Sequence, residues 1–145
     1  MQIRKITELI DARRAKLAVL LCHLNADPDA VCASLAFSQL LQRLKPGLNI
    51  EVAAAQGPSR LSKVLLPRLP GKLIAEPHIE DADVIVLLDT NTVEQLGEWS
   101  ARVKDSKAAL IVIDHHASHP ETEGLAALIV ADEKASSACE MVYRL

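Results

Sequence analysis

Aromatic side chains are almost missing from this sequence: 145 residues hold one Trp, one Tyr and one Phe. Proteins that grip single strands by stacking bases need such rings, so a stacking platform is excluded. A basic excess is missing too. Lys and Arg number 16 against 19 Asp and Glu, for a formal charge of −3, which leaves no electrostatic footprint for generic nucleic-acid binding. A polyanionic substrate would have to be held locally, by a few Arg or Lys or by bound metals. The three cysteines, Cys22, Cys32 and Cys139, show no C-x-x-C spacing and cannot all pair. The longest apolar run, Ala15–Leu24, is broken by Lys16 and is far shorter than the roughly 20 residues a membrane helix needs. Met1–Arg14 is polar and amphipathic, unlike a signal peptide. These absences predict a reducing, cytoplasmic setting with no membrane partner.

What is present is aliphatic. Half of the residues are hydrophobic, enough for one domain with a real core. Ile3, Ile6, Leu9 and Ile10 recur at helical spacing. Leu17–Cys22 is a continuous apolar run suited to a strand buried on both faces. A polar loop, His23–Asp29, follows, and helical periodicity returns from Ala30 to Leu44 before the stop signal Lys45-Pro46-Gly47. Further strands are expected at Asn49–Ala55, Val84–Leu88, Leu110–Ile113 and Leu128–Val130. Helices are expected at Ser59–Leu66, Thr92–Lys104 and from Ser136 to Leu145. Apolar strands alternating with helices predict a three-layer αβα domain around a mostly parallel sheet of about five strands.

The chemistry-bearing residues fall where these strands end: His23 after the first, Asp89 after the third, Asp114 after the fourth. Strand C-termini of an open parallel sheet share one edge and form its ligand crevice. His23, Asp27, Asp29, Asp89, Asp114, His115 and His116 are therefore expected to meet. Four carboxylates at close range repel one another unless cations intervene. Carboxylate and imidazole without thiolate suit Mn²⁺, with Mg²⁺, Co²⁺ or Zn²⁺ as other candidates. The donors suffice for two ions, an arrangement typical of phosphoryl-transfer hydrolysis. His23-x-x-x-Asp27-x-Asp29 reads as a loop kinked by Pro28, from which His23 and Asp27 can face one ion and Asp29 another. Helix capping is the competing duty of the two carboxylates.

With these motifs in this order, the sequence resembles the DHH phosphoesterase superfamily. His23-x-x-x-Asp27-x-Asp29 is similar to its first motif, Asp89 to its second, and Asp114-His115-His116 to the third. Ala135–Tyr143 resembles a family stretch that opens a helix. Within the superfamily, the chain is most similar to the branch acting on short oligonucleotides (nanoRNA) and 3′-phosphoadenosine-phosphate. The resemblance implies a Rossmann-like domain with two divalent cations, Mn²⁺ foremost. His23 and Asp27 would hold the first ion, Asp29 and His115 the second, and Asp89 both. Asp114 would orient a histidine, and His116 would contact the substrate phosphate, which a water activated by the two metals attacks in line. Implied substrates are short oligonucleotides or phosphoadenosine-type nucleotides. Inorganic pyrophosphatase or single-strand exonuclease activity is the alternative within the superfamily, and a non-catalytic metal- or nucleotide-binding regulatory module the alternative outside it. A homodimer is compatible with the sequence.

The sequence departs from the family pattern at Ala26 and Pro28, where many members carry Pro and Gly, and at Ala138, where Thr is common. The family's fourth-motif Asp and its C-terminal substrate-binding domain have no counterpart here. The expectation is a chain truncated before the fourth motif, whose activity alone would be incomplete, with a stand-alone remnant as the alternative; Asp132 lies too early to supply that ligand and is read as capping or ending a strand. His78 and His119 read as surface residues, Ser136-Ser137 with Glu140 as a capping box, and Arg60, Lys63 and Arg68 as a solvated helix face. Cys22 and Cys32 read as packing residues.

Overall fold

The computed structural model describes residues 2–145. Five strands form one sheet: β1 (Leu17–Cys22), β2 (Asn49–Ala54), β3 (Val84–Leu88), β4 (Ala109–Asp114) and β5 (Leu128–Ala131). Their order is β2-β1-β3-β4-β5, and every neighbouring pair is parallel. Parallel strands need crossovers, supplied here by α2 (Pro28–Leu44), α3 (Arg60–Leu65), α4 (Trp99–Asp105) and α5 (Pro120–Leu125); α1 (Gln2–Ala12) and α6 (Ala138–Arg144) lie outside the first and last strands in sequence.

Strand side chains alternate between two cores. Leu20, Cys22, Val86, Leu88, Ile111 and Ile113 pack with Ile6 and Ile10 of α1, Phe37 and Leu41 of α2, and Met141 of α6. Val19, Leu21, Ile85, Leu87 and Val112 pack on the other face with Ile79, Leu96, Trp99 and Val103. All five residues of β3 are buried, which is why its sequence is an unbroken aliphatic run rather than an alternating one. The expected three layers are present, and the sheet is wholly parallel.

The order places a switch point between β1 and β3. The chain leaving β1 turns into α2 on one face, whereas the chain leaving β3 packs Val93, Leu96 and Trp99 on the other. The two exits diverge and open a crevice at the strand C-termini.

Three expectations need correction. Thr92–Lys104 is not one helix: a 3₁₀ turn at Val93–Leu96 is separated from α4 by Gly97, whose φ of 56° no helix accommodates. Pro28 does not kink a loop but opens α2 as its first residue, so Asp29 lies inside the first turn. Lastly, α5 forms where none was expected, with His119 as its cap, Pro120 at its start and Glu121 and Glu123 in its first turn. No described helix is long and apolar enough to cross a membrane.

Candidate metal centre

All seven predicted site residues stand at the C-terminal edge of the sheet around the switch point. Two sets of donor atoms each lie within 4.8 Å of one another: His23, Asp27 and Asp89 in one, Asp89, Asp114, His115 and His116 in the other. Asp89 belongs to both. Asp29 is in neither set, but its Oδ2 lies 3.8 Å from His115 Nε2.

The loop after β1 is held from behind. Leu24 N donates to Gln95 O at 2.7 Å, and a Cβ added to Gly97 would stand 2.8 Å from Leu24 Cδ2. On the other side Ser59 N and the buried Ser62 hydroxyl both donate to Ala26 O, each at 2.8 Å. His23 Nδ1 meets Leu24 O at 2.8 Å. A carbonyl only accepts, so Nδ1 carries the proton and the Nε2 lone pair is left for a ligand. Nε2 stands 4.0 Å from Asp27 Oδ1. The same Oδ1 accepts from Ala30 N at 3.0 Å, so Asp27 caps α2 and faces His23 at once; capping and ligation do not compete here.

Asp29 is fixed by a remote segment. Its two carboxylate oxygens accept from Ala138 N and Cys139 N at 2.7 and 2.9 Å. Those amides begin α6, where Ser137 Oγ accepts from Glu140 N and Glu140 accepts from Ser136. The capping box thus shapes the amides that receive Asp29, a connection that nothing local in the sequence announces.

Asp89 follows β3 with φ 54°, a left-handed conformation that Asp tolerates better than most residues. The turn is braced by Asp89 N donating to Ile113 O and the Thr90 hydroxyl donating to Leu88 O, each at 3.0 Å. Asp89 Oδ1 is buried and has no hydrogen-bond partner, as has Asp114 Oδ2. Burial above all, then the nearby Asp29, Asp114 and Asp27, pushes the Asp89 carboxyl up to about 6. His115 Nε2 lies 3.3 Å from the orphaned oxygen and His116 Nδ1 3.7 Å. A buried carboxylate oxygen without a proton donor, among three further carboxylates, fits a divalent cation. With imidazole nitrogens beside it, the donor chemistry is that of Mn²⁺ or a similar ion.

Asp114 positions His116. Its Oδ1 accepts from His116 N at 2.9 Å and His116 Nδ1 at 2.7 Å. That hydrogen bond raises the His116 pKa more than partial burial lowers it, with Asp114, Asp89 and Asp29 adding their charge. Nδ1 is committed, so Nε2 is the nitrogen left to meet a ligand.

The remaining candidates resolve simply. Asp132 follows β5, accepts from Lys134 N and pairs with Arg144 Nη1 at 3.3 Å. His78 bonds Glu51 on the surface. Cys22 is buried against Ser34, and burial pushes its thiol up to about 12, so it stays protonated as a packing residue. Sequence reasoning missed Ala138 and Cys139, whose amides hold Asp29, and Gly97 and Ser62, which seat the first loop. Gly97 itself, inside an otherwise helical pattern, was the one available signal.

Comparisons with known proteins agree with this fold. An uncharacterised protein of Methanocaldococcus jannaschii is 29% identical over 109 residues, covering 75% of this chain and 32% of its own length. A protein of Bacillus mycoides named as a probable manganese-dependent inorganic pyrophosphatase is 31% identical over 96 residues, covering 65% of this chain and 29% of its own. The crystal structure of an exopolyphosphatase-related protein from Bacteroides fragilis superposes with a TM-score of 0.80 at 25% identity, covering 98% of this chain and 42% of that one. The chain thus spans about a third of the curated relatives it matches. The family model described as "DHH family, N-terminal domain" matches residues 18–145, and the chain belongs to the DHH family.

Proposed function

We propose that this chain carries the metal-binding and catalytic residues of a divalent-metal-dependent phosphoesterase acting on short oligonucleotides or phosphoadenosine-type nucleotides. The observation that carries the proposal is Asp89, which belongs to two donor sets and whose buried Oδ1 has no hydrogen-bond partner. His23 and Asp27 would hold one ion, Asp29 and His115 a second, and Asp89 both. Mn²⁺ suits this mixture of carboxylate and imidazole, and manganese is named in the Bacillus relatives. Bound divalent cations supply Lewis acidity, lowering the pKa of water and offsetting charge on phosphoryl oxygens.

The protein's own residues then orient and protonate. Asp29 keeps its place because two α6 amides hold it. Asp114 fixes the His116 ring and favours its cationic form, so His116 Nε2–H would donate to a phosphate oxygen and strengthen that bond as negative charge develops. Asp114 touches no substrate in this scheme and acts through His116.

Inorganic pyrophosphatase is the second reading, favoured by the name of the Bacillus relatives. The deciding assay supplies Mn²⁺ with a short oligoribonucleotide, phosphoadenosine phosphate and pyrophosphate, to this chain and to the longest natural polypeptide containing it. Turnover of either nucleotide substrate above pyrophosphate is expected. Pyrophosphate as the preferred substrate would establish the second reading. No turnover of any of the three would overturn the enzyme assignment and leave a non-catalytic binding module. Asp114→Asn should lower kcat about 100-fold, in the range removal of one positioned general acid produces, while Mn²⁺ stoichiometry by calorimetry stays the same.

A further inference from the structure

We propose that the outer face of α3, with Arg68 beyond it, is the surface along which an oligonucleotide substrate lies on leaving the metal centre. The inference rests on the phosphoesterase reading and names the class of substrate that the site would take.

The metal centre would offset the charge of the phosphate being cleaved but not that of its neighbours, which still repel one another. A substrate of several phosphates needs cations close by. Among the described residues many basic side chains are already engaged with acids: Arg4, Lys45, Arg102, Lys104 and Arg144 are in ion pairs. Of those without an acidic partner, Arg13, Arg14 and Lys16 precede β1, Arg43 precedes β2 and Lys107 precedes β4, at the opposite edge of the sheet; Lys5 lies on α1, and Lys72 follows the Leu66–Arg68 turn. Lys134 stands alone beyond β5. Arg60, Lys63 and Arg68 are different. They follow β2 on the side of the crevice, are exposed, and have no acidic partner.

The anchoring of α3 ties this group to the centre. Ser62 is fully buried, and its hydroxyl donates to Ala26 O inside the loop bearing His23 and Asp27. Ala26 and Pro58 also form a parallel bridge. With Ser62 turned inward, Arg60, Leu61, Lys63 and Val64 are left on the exposed side. Leu61 and Val64 are 60% and 62% exposed; as an i,i+3 pair they form an uncovered aliphatic ridge beside the cationic ridge of Arg60 and Lys63.

The two ridges select the occupant. An oligonucleotide carries its phosphates along one side and its apolar sugar and base faces along the other, matching a cationic ridge beside an aliphatic one. Inorganic polyphosphate has nothing to place on Leu61 or Val64. The face is also short: six residues of α3 and the three of the Leu66–Arg68 turn span about 15 Å, room for only a short chain. No aromatic side chain lies along it, so grip comes from phosphate contacts rather than stacking.

The test measures binding and chemistry separately. Fluorescence anisotropy follows a labelled phosphorothioate pentaadenylate on the parent, on the triple variant Arg60→Gln/Lys63→Gln/Arg68→Gln, and on Leu61→Ser/Val64→Ser. Hydrolysis of bis(p-nitrophenyl) phosphate with Mn²⁺, a probe too small to reach the far end of α3, reports on the centre itself. The triple variant should bind at least tenfold more weakly, with the slope of log K against log salt smaller by about 2, as three lost single-strand phosphate contacts require. The aliphatic variant should bind the oligonucleotide about threefold more weakly and tripolyphosphate as the parent does. Small-ester hydrolysis should be unchanged in both. Affinity for the oligonucleotide within twofold of the parent in the triple variant, or no oligonucleotide binding by the parent, would overturn the track. Equal effects on oligonucleotide and tripolyphosphate in the aliphatic variant would overturn its assignment to nucleic acid. Loss of small-ester hydrolysis in the parent with oligonucleotide binding intact would instead sink the phosphoesterase reading alone.

Discussion

The two sides of the crevice are built on opposite principles. On the β1 side, His23 and Asp27 have side chains 21% and 53% exposed, and their loop is held by backbone and hydroxyl bonds from segments behind it. On the β3–β4 side, Asp89 and Asp114 have side chains 5% and 3% exposed, and the donors are fixed directly by burial and by the Asp114–His116 hydrogen bond. The first half can adjust its shape at little cost. The second cannot, and it carries uncompensated negative charge that a cation would relieve. On the proposed assignment, the more demanding ion site would belong to the β3–β4 half and the more adaptable one to the β1 loop.

Removing the residue common to both halves should erase the distinction. Asp89→Ala is expected to abolish binding of both ions, read by calorimetry with Mn²⁺; two ions retained would show that Asp89 does not bridge. The next effect is electrostatic and specific to the buried half. The folded pKa of Asp89, about 6, lies above the roughly 3.9 of an unfolded Asp. The native state therefore binds this proton more tightly, a contribution to metal-free stability that is full below about pH 4 and lost as pH rises through about 6. Asp89→Asn should stabilise the metal-free protein by about 1–3 kcal/mol near pH 8 and far less near pH 4.5. Urea melts at the two pH values give the comparison, and an equal change at both would remove charge as the cause. The smallest effect tests the adaptable half. Gly97→Ala puts a side chain at φ 56° and against Leu24, a strain of about 1–2 kcal/mol. It should weaken the His23–Asp27 ion about tenfold and leave the other unchanged in a Mn²⁺ titration; weakening of both would mean that the halves are mechanically coupled.

The strands were legible because a parallel strand covered on both faces must be aliphatic throughout, as Val84–Leu88 is. Strand ends were legible for the same reason, since a polar residue can follow such a run only where the chain leaves the core; that singled out His23, Asp89 and Asp114. The break at Gly97 was not, because the apolar periodicity of Val93, Leu96, Trp99 and Val103 runs through it and a single φ decides the matter. Nor was α5, whose six residues are too few to show a period, although Pro120 and the two Glu were usable start signals. In the site, residue identities followed from strand ends, but the support did not. Asp29 held by Ala138 and Cys139, and Ala26 held by Ser62, are contacts that only the folded chain creates.

The hold of Asp29 on α6 spans 109 and 110 residues of chain. It makes completion of the site a late event in folding. Helix α2 can form locally, with Asp27 capping it at once, but Asp29 has no fixed carboxylate until α6 has docked against α2 and β4. Contacts of such separation form only after the intervening loop-closure entropy has been met. A nascent chain on the ribosome would thus expose Asp27 and Asp29 long before the α6 amides that fix Asp29 have been made.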